Sequence, residues 1–156
     1  MSVITFSDPS LIIRPLTSTD SLSELTTLLH HAYRQLAQLG LNYMAVNQSV
    51  AVTAERVAQG LCLVASHGSQ LYGTILFRHA QQTHGCAWYD RPEVASIAQF
   101  AVDPVLQSQG LGRQLLQAAE TRAKASGATE LALDTAEPAS HLVSWYSRLG
   151  YRFTEH

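Results

Sequence analysis

The sequence predicts one α/β domain of the α+β type, spanning residues 1–156, with a mixed, mostly antiparallel sheet flanked by about four helices. Its 156 residues suit a single domain, and the 46% of hydrophobic residues can form a substantial core. No repeat, and no linker rich in proline, glycine or serine, divides the chain. Predicted hairpins come first and one strand–helix–strand unit follows, which favours a single parallel, right-handed crossover.

The first elements are a short strand and a long amphipathic helix. The strand covers residues 11–14, and Pro15 is expected to end it. The helix begins with a capping-box signal, Ser21 with Glu24 three positions later, and Gly40 ends it. Its apolar residues recur at helical spacing: Leu22, Leu25, Leu28, Leu29, Ala32, Tyr33, Leu36 and Leu39.

A second, shorter helix and a hairpin complete the first half of the chain. The helix is predicted over residues 53–59, and Gly60 ends it. Two apolar runs, residues 61–65 and 71–77, are joined by the polar turn at residues 67–69. This pattern is typical of an antiparallel pair of strands.

The second half contains the strand–helix–strand unit. A strand is predicted over residues 94–102, before Asp103-Pro104, and a helix runs from Gly110 to Gly127. A strand at residues 131–134 follows. The remaining predicted elements are a helix from about Pro138 that carries Leu142, Tyr146 and Leu149, its end at Gly150, and a last strand from Tyr151.

Composition argues against several classes of partner. The formal net charge is −2, and Lys124 is the only lysine, so no cluster of cations favours nucleic acid. No apolar run approaches the roughly 20 residues of a membrane-spanning helix, and the first residues do not resemble a secretion signal. Cys62 and Cys86 have no metal-ligand spacing. We therefore expect a cytoplasmic protein without a nucleic-acid, membrane or metal partner.

The stretch around Gly110 and Gly112 is the most informative for function. It opens a helix with two small residues, so its unpaired N–H groups could hold a diphosphate, and Arg113 could add a cation. The alternative is a tight turn into a packed helix. A Walker A loop is excluded because Gln114 follows Arg113. A Rossmann site is disfavoured by Leu115 at the third glycine position, although Asp134 lies near the acidic ribose position.

Two motifs carry a family resemblance. Gln107-Ser-Gln-Gly110-Leu-Gly112 resembles the Gln/Arg-x-x-Gly-x-Gly/Ala signature of the GNAT superfamily, the acyl-CoA-dependent N-acyltransferases, and it follows a strand that ends in Ala-Val-Asp-Pro. Tyr146-Ser-Arg-Leu-Gly150-Tyr151 resembles that family's Tyr-x-x-x-Gly-Phe/Tyr motif. The resemblance covers nearly the whole chain, and it implies a sheet splayed between its fourth and fifth strands.

The resemblance implies a binding site for acetyl-CoA. Its diphosphate would lie on the backbone amides of Gln109, Gly110, Leu111, Gly112 and Arg113, with Gln107 shaping the loop. Its pantetheine would pair with the backbone of Phe100, Ala101 and Val102, where one N–H, that of Val102 or a neighbour, would hold the thioester oxygen. Ala139 stands where the family often has an asparagine, so the CoA contact expected there is lost or moves to Ser140.

The catalytic groups are one acid and an open choice of base. By resemblance, Tyr146 is the general acid that protonates the departing thiolate, while the alternative is a tyrosine packed on a helix face. Many members use a glutamate where this chain has Ser96. We name Glu93 as the base; His84, Asp90 or a water chain held by Ser96 and Gln99 are the alternatives.

The acceptor pocket in this family lies between the first helices and the central strands. Residues that could line it are Tyr33, Tyr43, Met44, Tyr72 and Trp88. Core packing is the alternative, especially for Tyr33 and Tyr72, which lie on regular elements. The acceptor classes left open by the sequence are small amines, amino acids, antibiotics and protein N-termini.

The predicted activity is transfer of an acetyl group from acetyl-CoA to a small-molecule or peptide amine, by direct attack in a ternary complex. The alternatives are a CoA-binding sensor or interaction module that has lost turnover and, more distantly, a nucleotide-binding dehydrogenase. The chain stops at His156 as its sixth strand begins, whereas the family adds a seventh. We expect a longer native chain or a homodimer that completes the sheet.

Overall fold

The computed structural model describes residues 11–38, 48–79, 93–106 and 110–133. These residues contain five strands and three α-helices. In chain order they are β1 (Leu11–Pro15), α1 (Leu22–Gln38), α2 (Val50–Val57), β2 (Leu61–His67), β3 (Gln70–Arg78), β4 (Val94–Val102), α3 (Leu111–Ala125) and β5 (Glu130–Ala132). A short 3₁₀ turn, Pro104–Leu106, follows β4. The predicted helix from Pro138 and the predicted strand from Tyr151 lie outside the described residues.

The strands form one mixed sheet in the order β1-β2-β3-β4-β5. The first three pairs are antiparallel, and β4 pairs with β5 in parallel, with Val94 opposite Glu130. Because α3 connects β4 to β5, this part of the chain is the predicted parallel crossover. The mixed, mostly antiparallel architecture is therefore confirmed.

Two local expectations near the start of the chain need correction. Pro15 belongs to β1, opposite Leu63, because β1 lies at the end of the strand order, where proline is tolerated. The hydroxyl of Ser21 accepts the N–H of Glu24 at 3.1 Å, as half of a capping box would. The Glu24 carboxylate, however, accepts the backbone N–H of Leu71 at 2.8 Å, so it joins α1 to β3.

Other element boundaries also differ from the predictions. Helix α2 begins at Val50 rather than Thr53, because the Ser49 side chain accepts the N–H of Val52 at 3.2 Å and caps the helix. The hairpin strands extend to His67 and Arg78, around a turn in which Gly68 has a φ of +61°. Strand β4 has its predicted limits, and β5 is shorter than expected.

The sheet has a hydrophobic cluster on each face. Alternate strand residues pack against α3 in one cluster: Leu63, Ala65, Ile75, Phe77, Ala95 and Ile97, with Leu106, Leu111, Leu115, Leu116, Ala119 and Ala123. The other cluster packs against α1 and contains Leu25, Leu28, Leu29, Cys62, Val64, Leu71, Leu76 and Ala101. Helices therefore cover both faces of the sheet, as the period of two along each strand requires. Among the described helices, none has the length and apolar character needed to cross a membrane.

Candidate active site

Helix α3 begins after a glycine whose backbone conformation is one that only a residue without a Cβ adopts easily. Gly110 has φ +86° and ψ 0°, and no side chain caps the helix. The first intrahelical bond runs from the N–H of Gln114 to the Gly110 carbonyl, at 3.1 Å. No described residue accepts the N–H groups of Leu111, Gly112 and Arg113. These donors, together with the positive end of the helix dipole, form a place suited to an anion.

The end of β4 lies near the start of α3. Val102 pairs with Gly73 of β3, and a Cβ on Gly73 would lie 3.5 Å from a methyl carbon of Leu111. The absence of a side chain at Gly73 thus allows the first turns of α3 to pack directly on the sheet. The backbone predicted to contact pantetheine and the backbone predicted to contact the diphosphate are therefore neighbours.

A β-bulge interrupts β4 between the buried residues at the start of the strand and Val102 at its end. Ala101 pairs with Thr74 and Ala98 with Leu76, so β4 has one more residue than β3 over this interval. Gln99 has a φ of +50°, the only positive φ of a non-glycine residue in the described part of the chain. The described pairing of β4 with β5 covers residues 94–96, on the N-terminal side of the bulge.

Three polar side chains of α1 lie on one helix face and connect it to three other segments. Thr26, His30 and Tyr33 follow the i, i+4, i+7 spacing of that face. The Thr26 hydroxyl is 2.6 Å from that of Thr53 in α2. His30 Nε2 lies 2.7 Å from the carbonyl oxygen of Gln48, which can only accept, so this nitrogen donates. The Tyr33 hydroxyl donates to the Phe100 carbonyl at 2.7 Å.

Gln48 connects this helix face to the bulge. Its amide nitrogen donates to the Thr53 hydroxyl at 2.8 Å and to Oε1 of Gln99 at 2.9 Å. The residue is only 3% exposed, and its Oε1 has no hydrogen-bond partner in the described structure. Sequence reasoning did not identify Gln48, because a lone glutamine outside any motif gives no signal of its contacts.

The structure does not bring Glu93 to the bulge. Glu93 precedes β4, and its carbonyl accepts the N–H groups of Thr129 and Glu130 at 3.0 and 3.2 Å. Six residues separate it from Gln99, which is roughly 20 Å along an extended strand. Ser96, which we align from the sequence with the family's glutamate, is fully buried, and its hydroxyl accepts from Nε of Arg78 at 2.9 Å. Sequence reasoning also missed Arg78.

The predicted acceptor residues separate into two groups. Tyr33 lies on the α1 side of the sheet, whereas Tyr72 packs against the cluster on the α3 side and donates its hydroxyl to Gln70. The two tyrosines therefore lie on opposite sides of the sheet. Other predicted site residues lie outside the described residues: Tyr43, Met44, Trp88, Gln107, Gln109, Ser140 and Tyr146.

Cys62 has the environment of a structural thiol. It is buried in β2, with its sulfur 3.3 Å from the Thr74 hydroxyl, and burial raises the pKa of the thiol. A raised pKa disfavours the thiolate, so Cys62 is poorly suited to act as a nucleophile. Across residues 11–38, 48–79, 93–106 and 110–133, no group of three or more His, Cys, Asp and Glu could hold a metal ion.

Comparison with known proteins identifies the family. The model of the acetyltransferase (GNAT) family matches residues 48–151, which include β4, the start of α3 and both sequence motifs. The chain therefore belongs to the GNAT acetyltransferase family.

Individual relatives agree with this assignment. The chain is 29% identical over 101 residues to the uncharacterized N-acetyltransferase YvbK of Bacillus subtilis, a match that covers 65% of the chain but only 59% of that protein. It is 26% identical over 133 residues to the S-(2-succino)cysteine N-acetyltransferase of the same organism, covering 82% of the chain and 76% of that protein. A Bacillus subtilis acetyltransferase solved in complex with CoA has 26% identity and a TM-score of 0.66, with 93% of this chain and 78% of that chain covered.

Proposed function

We propose that the protein transfers an acetyl group from acetyl-CoA to a primary amine, by direct attack within a ternary complex. The observation that carries the proposal is the start of α3. After Gly110, the first N–H groups of the helix have no acceptor among the described residues, and a thioester cofactor with an anionic diphosphate would fit there, near the end of the bulged strand β4. The family match and the relative solved with CoA support the same cofactor.

The diphosphate of CoA would lie on the amides of residues 109–113. No described group competes for the N–H groups of Leu111, Gly112 and Arg113, and Gly110 has no Cβ to hold the oxygens away. The guanidinium of Arg113 is exposed at the same helix start, where it adds a positive charge. Gln107 would shape the loop, and Ser140 would add a hydroxyl contact.

The backbone of Phe100, Ala101 and Val102 would pair with pantetheine like an added strand. The N–H of Val102 or of a neighbour would stabilise the charge that develops on the thioester oxygen during attack. The bulge supports this assignment, because bulges redirect backbone groups near active sites. Tyr146 would then protonate the departing thiolate as the general acid.

The proton of the attacking amine would leave through a water chain at the bulge or through Glu93, the two routes that the structure allows us to compare. Glu93 lies too far along β4 to reach an amine at the bulge without several intervening waters. The position of Gln99 at the bulge supports the alternative, in which a chain of water molecules carries the proton away. We expect Glu93→Gln to leave the acidic limb of the pH–rate profile in place, and a shift of that limb would restore Glu93 as the base.

The acceptor is proposed to be a small-molecule amine that enters on the α1 side of the sheet. Tyr33 and Gln48 place polar groups there, next to the bulge. By its name, one relative acetylates S-(2-succino)cysteine, an amino acid derivative that carries carboxylates. Amino acids and their S-substituted derivatives are therefore the first acceptors to test.

A second candidate is a CoA-binding sensor or interaction module without turnover. The observation that favours it is Ser96, which is buried and bonded to Arg78 where many family members have their catalytic glutamate.

A cytoplasmic location, a single domain over residues 1–156 and a homodimer also stay predictions. Sizing in solution tests the dimer.

One experiment separates these candidates. Calorimetry compares CoA with NAD, and a thiol-release assay then uses acetyl-CoA with amino acids, S-(2-succino)cysteine, spermidine, an aminoglycoside and a short peptide. CoA binding with amine-dependent thiol release supports the acetyltransferase. CoA binding without release over the whole panel supports the sensor. Binding of NAD without CoA contradicts both.

A further inference from the structure

Gln99 occupies a conformation that its own chemistry does not favour. A φ of +50° brings the Cβ of an L residue close to its own backbone, and glycine or asparagine would be the usual choice there. Such strained residues persist where the surrounding structure determines their conformation, and they cluster at functional sites. The contacts around Gln99 should therefore show what holds it.

Two hydrogen bonds reach the bulge from residues distant in sequence. Gln48 donates to the side chain of Gln99 at 2.9 Å, and Tyr33 donates to the main-chain carbonyl of Phe100 at 2.7 Å. One bond therefore fixes the side chain of the strained residue, and the other fixes the peptide group of the next residue.

Both donors are themselves held in place. The side-chain amide of Gln48 also donates to Thr53, and the main-chain carbonyl of Gln48 accepts from His30, on the same helix as Tyr33. Tyr33 extends from α1, whose apolar face packs on β3 and β4 through residues such as Leu29. Both restraints are thus anchored on the helical layer that covers this face of the sheet.

We propose that Tyr33 and Gln48 are positioning residues that hold the strained Gln99–Phe100 bulge in the conformation that aims the β4 backbone at the thioester. This inference rests on the proposed function. Without these bonds, Gln99 relaxes toward a negative φ, and the peptide groups on either side of it rotate. Turnover then falls, while CoA stays bound through the start of α3.

A double-mutant cycle tests the proposal, with Tyr33→Phe, Gln99→Gly and the combination. Glycine adopts a positive φ without strain, so the bulge no longer needs to be held. We expect Tyr33→Phe to lower kcat about tenfold, with the Kd for CoA changed less than about twofold. In the Gln99→Gly background, the same substitution should lower kcat by about threefold or less.

Thr27→Val is the control, because it removes a hydroxyl from the exposed side of the same helix, where the hydroxyl donates to the Ser23 carbonyl. Its kcat should equal that of the wild type. An unchanged kcat in Tyr33→Phe, or an equal loss in both backgrounds, overturns the proposal. Gln48→Met provides a second cycle with Gln99→Gly, in which its effect on kcat should also shrink.

Urea unfolding of the same proteins gives a stability measurement for the double-mutant cycle that does not need acetyl-CoA. The shift in the urea midpoint caused by Tyr33→Phe should be smaller in the Gln99→Gly background, and equal shifts overturn the role in holding the bulge. A wild-type chain that neither binds CoA nor releases thiol refutes the proposed function. The urea cycle then still decides whether Tyr33 holds the bulge, so the two failures are distinguishable.

Discussion

A Cβ atom on Gly73 of β3 would lie 2.8 Å from Cδ1 of Leu115 in α3. Leu115 is fully buried, and its helix packs on the sheet at the distance that this glycine allows. The same glycine pairs with Val102, the last residue of β4. The position of the α3 N-terminus relative to the end of β4 therefore depends on a residue with no side chain.

Gly73→Ala should destabilise the protein and weaken CoA binding together. The added methyl group displaces Leu115, and overpacking of a dense core typically costs about 1–3 kcal/mol. Urea unfolding and CoA calorimetry measure the two effects. Gly68→Ala, at an open turn with φ +61°, is the control that should lose stability without losing CoA affinity. Wild-type stability in Gly73→Ala would contradict the close packing.

The two glycines that flank α3 provide a matched pair for the cofactor site. Gly110 has φ +86° at the start of the helix, and Gly127 has φ +87° after its end. Alanine at either position should cost about 1–2 kcal/mol of stability, because both conformations are left-handed. Only Gly110→Ala should also raise the Kd for CoA, by about tenfold or more, in calorimetry. Equal affinity in the two variants would contradict diphosphate binding at the start of α3.

Tyr146→Phe should retain CoA affinity and lose most turnover. The phenol donates a proton to the thiolate only as the bond to the acyl group breaks, so its loss affects the transition state more than binding. General acid catalysis typically contributes about 10²–10⁴-fold. Thiol release measures the effect, with Thr27→Val as the control. Turnover like that of the wild type would remove Tyr146 from the mechanism.

Acid should weaken the fold through Asp20. Two hydrogen bonds of 2.8 Å from the Arg14 guanidinium hold the pKa of this carboxyl well below its usual range. The stabilisation is complete above the unfolded pKa of about 3.9 and is lost as pH falls from there toward the folded pKa. Asp20→Asn should therefore cost about 1–3 kcal/mol at pH 7, a difference that shrinks below about pH 4.

Urea unfolding at a series of pH values measures the Asp20 effect. Glu55→Gln removes an exposed carboxylate of α2 and is the control for loss of a carboxylate; its stability at pH 7 should stay close to that of the wild type. A difference between Asp20→Asn and the wild type that persists undiminished at low pH would show that the ion pair with Arg14 does not cause it.

Cys62→Ser should leave the rate of thiol release close to that of the wild type. The thiol is buried and its pKa is raised, so direct attack by the amine does not need it. A small loss of stability is expected from burying a hydroxyl in place of a thiol. Loss of turnover with an intact fold would instead indicate an acyl-enzyme.

The sequence by itself determined the elements whose signals are local. Strand β4 ends before Asp103-Pro104 because proline cannot donate to the ladder. Helix α3 lies between two glycines because each adopts a left-handed conformation that other residues resist. The GNAT motif at residues 107–112 is also a local signal, because its residues are consecutive in the sequence and it can be recognised without knowledge of the fold.

Only the tertiary structure decided which distant groups meet. Glu24 turns from its own helix to the N–H of Leu71, and Tyr33 reaches a carbonyl 67 residues away. The conformation of Gln99 has no local signal, since its strain persists only because other elements hold it. Glu93 precedes β4, and its carbonyl accepts the N–H groups of Thr129 and Glu130, a contact for which the sequence has no local signal. Packing of helices on a sheet fixes these relationships, and no window of neighbouring residues contains them.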